Sequence, residues 1–150
     1  MSNSENLYKN ALLSSGSDQA KKKRCIGASI LPYAFYDDHM YFLLGKERCY
    51  KPKGKRVDNQ WSDFGGKSEI DETSVDCASR EFLEETLGVV RFSEFDELPI
   101  EIDSAKDRLS KHDYTFKLVF PVNDNRYYVT YLCEIPFSTQ VQYKFSRIYS

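Results

Sequence analysis

The segment that most constrains the fold is the stretch TSVDCASREFLEETLG at residues 73–88. Thr73 is a residue type that caps helix N-termini, and Asp76 follows three positions later. Gly88 stands where a helix would stop, since glycine is the usual residue just past a C-terminus. The sequence therefore predicts a helix over residues 73–87, with its caps already in place.

The two faces of this predicted helix carry different chemistry. One arc is apolar and suited to packing on a sheet, with Val75, Ala78 and Phe82. The neighbouring arc holds three carboxylates at i, i+3 and i+4, namely Glu81, Glu84 and Glu85. Like charges at this spacing destabilise a helix, whereas Mg²⁺ and Mn²⁺ bind carboxylate oxygens. The cluster favours a metal site, and an acidic surface helix is the alternative.

Residues before and within the helix extend this pattern. Gly65 and Gly66 predict a turn where the backbone can approach a ligand or offer a carbonyl to a metal. Glu72 adds a carboxylate just before the helix. Arg80 points to the side of the glutamate arc, so it is better placed to pair with a carboxylate such as Glu72 than to bind substrate.

The combined spacing resembles the signature box of the Nudix hydrolases. Gly66 is followed after five residues by Glu72, and after seven more by REFLEE at 80–85. The family pattern places one residue before the closing glycine, whereas two precede Gly88 here. The order of LLGKER, WSDFGGK and the box is also similar to that of the family.

The resemblance implies an α/β (α+β) fold, a three-layer αβα sandwich with a mixed β-sheet. It implies hydrolysis of a pyrophosphate bond in a nucleoside diphosphate derivative by metal-activated water, with Mg²⁺ or Mn²⁺ as cofactor. The implied metal ligands are Glu81, Glu84, Glu85 and the Gly66 carbonyl. The implied catalytic set is Arg80, Glu81, Glu84 and Glu85. Glu72 and Gly88 have structural roles in the box, with Glu72 as an outer ligand or the partner of Arg80. The general base is either Glu81 or a carboxylate from a distant loop.

Most of the rest of the chain is predicted to form strands and loops. A hairpin is predicted over residues 25–36 and 40–48, and two further strands over 115–122 and 126–135. A short strand is predicted at 89–92. The segment 104–113 is ambiguous. The last residues, 136–150, are left open, although their apolar positions alternate more like a strand than a helix.

The charge is unevenly distributed along the chain, although the net charge is only −2. Residues 1–60 carry a balance of +5, residues 61–103 a balance of −10, and residues 104–150 a balance of +3. This pattern suits a site for divalent cations and a polyanion, while solvated acidic faces remain the alternative. We predict a flexible polar and basic arm at 1–24 and a Nudix hydrolase domain at 25–150.

Candidate substrate-binding residues lie from the end of the hairpin to the start of the box. Their side chains are basic or aromatic, namely Lys46, Arg48, Lys67 and Trp61. Trp61 can stack on a base, with Tyr50 nearby, but a core or structural role is at least an equal alternative, because Trp61 enters a predicted strand. A basic loop at 49–60 is expected to overhang the metal site and to bind phosphate through one or two of its residues.

The sequence also indicates where in the cell the chain is expected to act. No apolar run reaches the roughly 20 residues of a membrane helix, and no secretory signal is visible, so a cytoplasmic chain with reduced cysteines and no membrane partner is expected. REFLEETLG with WSDFGGK is similar to Nudix proteins of large DNA viruses, including the mRNA-decapping group. That likeness implies a capped-RNA or phosphorylated small-molecule substrate, diphosphoinositol polyphosphates included. The alternative function is a non-catalytic Nudix-fold module that binds a nucleotide or a protein.

Overall fold

A computed structural model describes residues 22–47, 60–111, 113 and 115–149 of the chain. These residues form seven strands and three helices. The strands are β1 Arg24–Tyr36, β2 His39–Phe42, β3 Gly45–Glu47, β4 Gln60–Ser62, β5 Phe64–Lys67, β6 Thr115–Asn123 and β7 Arg126–Glu134. The helices are α1 Ser74–Thr86, α2 Ile102–Ser110 and α3 Val141–Tyr149.

The main sheet is mixed and has the order β2-β1-β7-β6. Strand β1 is long enough to pair with two partners along one side, β5 near its start and β2 near its end. It runs parallel to β7 on the other side, while the other pairings in this sheet are antiparallel. A mixed sheet with helices packed on it confirms the predicted α/β class.

The core lies between α1 and the central strands. Phe82 on α1 is fully buried, and its ring packs 5.6 Å from Phe64 and 5.4 Å from Phe92, measured between ring centroids. The facing sheet side chains are small or β-branched, including the buried Ala28 and Val129. Helix α2 packs in turn on α1. The apolar arc predicted from sequence is therefore the arc that faces the sheet.

The ends of α1 match their predicted caps. The Thr73 hydroxyl accepts from the backbone N–H of Asp76, and the Asp76 carboxylate accepts from the N–H of Thr73, which is a capping box. The helix ends at Thr86, and Leu87 then adopts a left-handed conformation with φ 54°. Gly88 follows at φ 68°. One of the two residues between the box motif and Gly88 is therefore a leucine in the left-handed conformation, which glycine adopts most readily.

Asp76 gives a prediction for acid stability. Its Oδ1 lies 2.8 Å from Lys106 Nζ, and this contact, together with Thr73, lowers its pKa from 3.8 to about 2. A lowered folded pKa stabilises the fold above pH 3.8, and that contribution disappears as the pH falls from 3.8 to about 2. Asp76→Asn should cost about 1 kcal/mol at pH 7, because both side chains are more than one-third exposed.

Urea unfolding at pH 7, 4 and 2 measures this. The difference in free energy of unfolding between wild type and Asp76→Asn should become smaller toward pH 2. Asp124→Asn, a substitution in an exposed turn, should match wild type at all three pH values. A difference in free energy of unfolding that stayed constant with pH would show that the ionised Asp76 carboxylate is not the source of the stabilisation.

Several predicted elements need correction. The turn predicted at Gly65 and Gly66 is wrong, because both lie in β5 and pair with Ser29 and Ala28 of β1. Residues 89–92 form no strand, since their buried side chains fill the core from an irregular segment. Residues 141–149 form a helix rather than a strand, and 102–110 resolve the ambiguous segment as a helix.

The hairpin of β1 and β2 and the pair β6–β7 are confirmed, although β2 ends at Phe42 and the next strand joins a separate ribbon with β4. Other predictions lie outside the described residues. These are residues 1–21 of the arm, most of the basic loop, Arg48 and Tyr50. Of the helices described, none combines the length and apolar character needed to cross a membrane.

Candidate functional site

Arg80 connects the acidic helix α1 to the segments that precede it. Its Nε lies 2.8 Å from Glu72 Oε1 and its Nη2 lies 3.0 Å from Glu72 Oε2, so the predicted pairing is present and bidentate. Nη2 also donates to the Lys67 carbonyl at 3.1 Å. The Arg80 guanidinium lowers the pKa of Glu72 below its usual value. One guanidinium therefore ties the end of β5 and the loop before α1 to the helix.

The same guanidinium contacts the glutamate arc. Arg80 Nη1 lies 2.8 Å from Glu81 Oε1 and 3.4 Å from Glu84 Oε2. Glu81 is held on its other side by β5, because a Cβ at Gly66 would lie 2.5 Å from the Glu81 carboxyl carbon. The absence of a side chain at Gly66 lets the Glu81 carboxylate rest against the strand backbone.

The three glutamates lie in different surroundings. The Glu81 side chain is 17% exposed, whereas that of Glu84 is 61% exposed. Glu85 is half-buried and lines a cavity of about 700 Å³. Of the predicted metal ligands, Glu85 is therefore the one that borders a cavity large enough for a small ligand.

The cavity is lined mostly by apolar side chains. Its described walls come from the segment after β2, from the ribbon of β3 and β4, from the end of α1 and from the start of α3. Lys46 and Trp61 face each other across the ribbon, with Lys46 Nζ 5.6 Å from the centre of the indole ring. Trp61 is 63% exposed, so it does not belong to the core.

A carboxylate that the sequence reasoning missed also lines this cavity. Asp63 Oδ2 accepts a hydrogen bond of 2.5 Å from Ser29 Oγ, and Ser29 Oγ lies 2.9 Å from Thr130 Oγ1. Ser29 is fully buried and Thr130 is nearly so. The available signal was an acid inside WSDFGG, a segment otherwise typical of a strand. Asp63 is thus anchored to β1, which in turn is bonded to β7.

The donor set fits a hard divalent cation in chemistry. Carboxylate oxygens and a backbone carbonyl are the ligands that Mg²⁺ and Mn²⁺ prefer, and Glu81 already rests against Gly66 of β5. In the described part of the chain, however, no three acidic, histidine or cysteine side chains converge on one point. The Arg80 contacts with Glu81 and Glu84 occupy these carboxylates instead.

The structure brings some of the predicted substrate residues together. Lys46 and Trp61 share the cavity with Glu85. Lys67 is exposed and is not among the described residues that line the cavity. Arg48 lies outside the described residues. Gly88 has a structural position, because a Cβ there would lie 2.9 Å from the Ile100 carbonyl oxygen.

Comparison with known proteins gives limited similarity. No protein-family model matches the chain. An uncharacterized protein of Acanthamoeba polyphaga mimivirus is 46% identical over 65 residues, which cover 43% of this chain and 20% of that protein. The chain therefore matches only a fifth of the length of this viral relative.

Solved structures overlap with the chain at TM-scores near 0.4. The C. elegans Ap4A hydrolase has a TM-score of 0.40 and 14% identity, covering 76% of this chain and 70% of its own. The NUDIX domain of Shewanella oneidensis NrtR, complexed with ADP ribose, has a TM-score of 0.43 and 16% identity, covering 92% and 73%. A MutT/nudix family protein from Enterococcus faecalis has a TM-score of 0.42 and 20% identity, covering 90% and 44%.

Proposed function

We propose that this chain is a Nudix-type hydrolase that cleaves a pyrophosphate bond in a nucleoside diphosphate derivative. The observation that carries the proposal is the position of Glu85, which belongs to the acidic helix and also borders the 700 Å³ cavity. The box spacing supports the same assignment, since Gly66, Glu72 and Arg80 make the contacts that hold the helix against β5.

The proposed metal is Mg²⁺ or Mn²⁺, held by Glu81, Glu84, Glu85 and the Gly66 carbonyl. When bound, it would polarise a water for attack on phosphorus and stabilise the charge on the oxygens of the reacting phosphate. Arg80 positions the carboxylates by holding Glu81 and Glu84 on the same side of α1. The carboxylate that accepts the proton of the water is proposed to be Glu81 or a carboxylate from a distant loop.

The cavity supports a nucleoside rather than a polyphosphorylated inositol as the bound group. Its described lining is mainly apolar, and Lys46 is the basic side chain within that lining. An aromatic base gains from burial against such walls and can stack on the exposed Trp61 ring, whereas several phosphates need more cations. We propose that Lys46, Lys67 and Arg48 contact the phosphates of the substrate. We also propose that the chain acts in the cytoplasm. Capped RNA is a candidate substrate, because the sequence is similar to Nudix proteins of large DNA viruses.

The test is release of phosphate or nucleotide by the full chain with Mg²⁺ and with Mn²⁺. The panel contains capped RNA, nucleoside triphosphates, ADP-ribose, dinucleoside polyphosphates and diphosphoinositol polyphosphates. We expect turnover of a nucleoside-containing class, lost when EDTA removes the metal. Turnover of the inositol compounds alone would contradict the assignment of the cavity.

The second candidate is a non-catalytic module that binds a nucleotide or a protein. It is favoured by the Arg80 contacts, because a guanidinium already neutralises Glu81 and Glu84. In that case the folded chain hydrolyses none of the panel compounds with either metal. Binding of Mn²⁺ measured by calorimetry separates the two, since only the hydrolase requires the carboxylates to release Arg80 for a cation.

A further inference from the structure

Asp63 is the carboxylate in the cavity that the proposed hydrolysis does not use. It stands between β4 and β5 and lines the same volume as Glu85 and Trp61. Among the described lining residues, the charged ones are Lys46, Asp63 and Glu85. Asp63 is partly buried in a mostly apolar wall, and burying a charge without hydrogen-bond donors is costly.

Among the residues that the structure describes, hydrogen-bond donors reach one side of this carboxylate. Ser29 has a single hydroxyl proton and gives it to Asp63 Oδ2, so the bond from Thr130 to Ser29 must run from the threonine hydroxyl. The hydrogen-bond chain Thr130–Ser29–Asp63, whose serine and threonine are buried, therefore fixes the orientation of the carboxylate. In the described part of the chain Oδ1 accepts no hydrogen bond, and it is not among the buried atoms left without a partner. With respect to the described residues, Oδ1 is therefore open to solvent or to a ligand.

We infer that Asp63 makes the cavity selective for guanine over the other bases. A carboxylate only accepts hydrogen bonds, with about four lone-pair sites on its two oxygens. Guanine offers two adjacent donors on one edge, N1–H and the N2 amino group. Adenine, cytosine and uracil place an acceptor beside each donor on that edge, so one carboxylate oxygen would face a lone pair. The site thus favours the base whose edge consists of neighbouring donors.

Trp61 provides the second contact and the means of measurement. It is the single tryptophan of the chain, and its ring is 63% exposed at the cavity. A base stacked on this ring would change its fluorescence without any chemical step. The inference rests on the proposed function in one respect, namely that the substrate's nucleoside occupies this cavity.

The experiment is a tryptophan-fluorescence titration of the full chain with GMP, IMP and AMP. These monophosphates contain no pyrophosphate bond, so binding is separated from turnover. We expect GMP to bind at least about tenfold more tightly than AMP, because AMP opposes an acceptor to the carboxylate. IMP should fall between them, since hypoxanthine keeps N1–H and lacks the amino group. Equal affinities, or no quenching by any of the three, would overturn the inference.

The matched variants are Asp63→Asn and Asp38→Asn. The asparagine oxygen at 63 can still accept from Ser29, while its amino group replaces one acceptor with a donor. We expect GMP affinity to fall by about tenfold or more and the ratio of GMP to AMP affinity to invert. Asp38 lies in the exposed β1–β2 turn at φ 60°, a conformation asparagine tolerates, so Asp38→Asn should keep wild-type ratios. An equal loss for all three nucleotides in Asp63→Asn would mean that Asp63 only supports the fold.

The outcomes also distinguish this inference from the proposed function. Guanine preference without hydrolysis of any panel compound would remove the proposed reaction and keep the guanine site. Metal-dependent hydrolysis with no preference among the three monophosphates would keep the reaction and remove the role of Asp63. If Asp63→Asn loses its circular-dichroism melting transition, the wild-type comparison of GMP, IMP and AMP still decides the question.

Discussion

A Glu85→Gln variant is expected to lose at least about 100-fold of the metal-dependent turnover proposed for this chain, with its free energy of unfolding lowered by no more than about 1.5 kcal/mol. Glutamine keeps the size and polarity of the side chain but removes the negative charge that a divalent cation requires. Glu85 is the residue chosen because it borders the cavity, whereas Glu84 is 61% exposed.

The control is Glu94→Gln, which makes the same chemical change at an exposed position beyond α1. Initial rates at saturating Mn²⁺, together with urea unfolding of all three proteins, give both quantities. Glu94→Gln should match wild type in both. Full turnover by Glu85→Gln would exclude Glu85 as a metal ligand and leave the acidic arc without its proposed role.

Adding a methyl group to the neighbouring glycines of β5 should have two different effects. At Gly65, a Cβ would lie 2.3 Å from Ser29 Cβ and 2.6 Å from the Ala28 carbonyl oxygen. These atoms belong to the central strand β1 and cannot move without separating the strands. Gly65→Ala should therefore lower the free energy of unfolding by about 3 kcal/mol.

At Gly66, the same addition meets the end of a side chain instead. The Cβ would lie 2.5 Å from the Glu81 carboxyl carbon, and this carboxylate can rotate away. Gly66→Ala should cost only about 1 kcal/mol in stability but lower Mn²⁺ affinity by about 10- to 100-fold, because it displaces a proposed ligand. Urea unfolding and calorimetric titration with Mn²⁺ measure the two effects. Equal stability losses with unchanged metal affinity would show that Glu81 does not bind the metal from this position.

Most of the regular structure follows from local sequence. Helix α1 was predictable because Thr73, Asp76 and the apolar arc agree on one segment, and the helix ends one residue before the predicted bound. The pair β6–β7 was likewise marked by alternating β-branched and aromatic residues around the turn at 124–125. Such elements depend on neighbours in sequence, so pattern and propensity suffice.

The failures lie where a distant contact overrides local preference. Gly65 and Gly66 favour a turn in isolation, yet they form a strand because β1 approaches closely enough to exclude side chains. Val89, Val90 and Phe92 are β-branched or aromatic like the residues of a strand, but no described strand pairs with them, and they are buried against α1 and the rest of the core instead. In both cases tertiary packing, which local propensity does not contain, decides the structure.

The sequence by itself determined the acidic helix, its caps and the chemistry of its carboxylates, since each depends on residues within a few positions of one another. Tertiary structure alone decided which groups share a cavity. Asp63, Trp61 and Glu85 come from separate segments, and they line one volume only because β5 pairs with β1 while α1 packs across both strands. A hydrogen-bond chain such as Thr130–Ser29–Asp63 crosses three segments of the fold, so no local pattern can encode it.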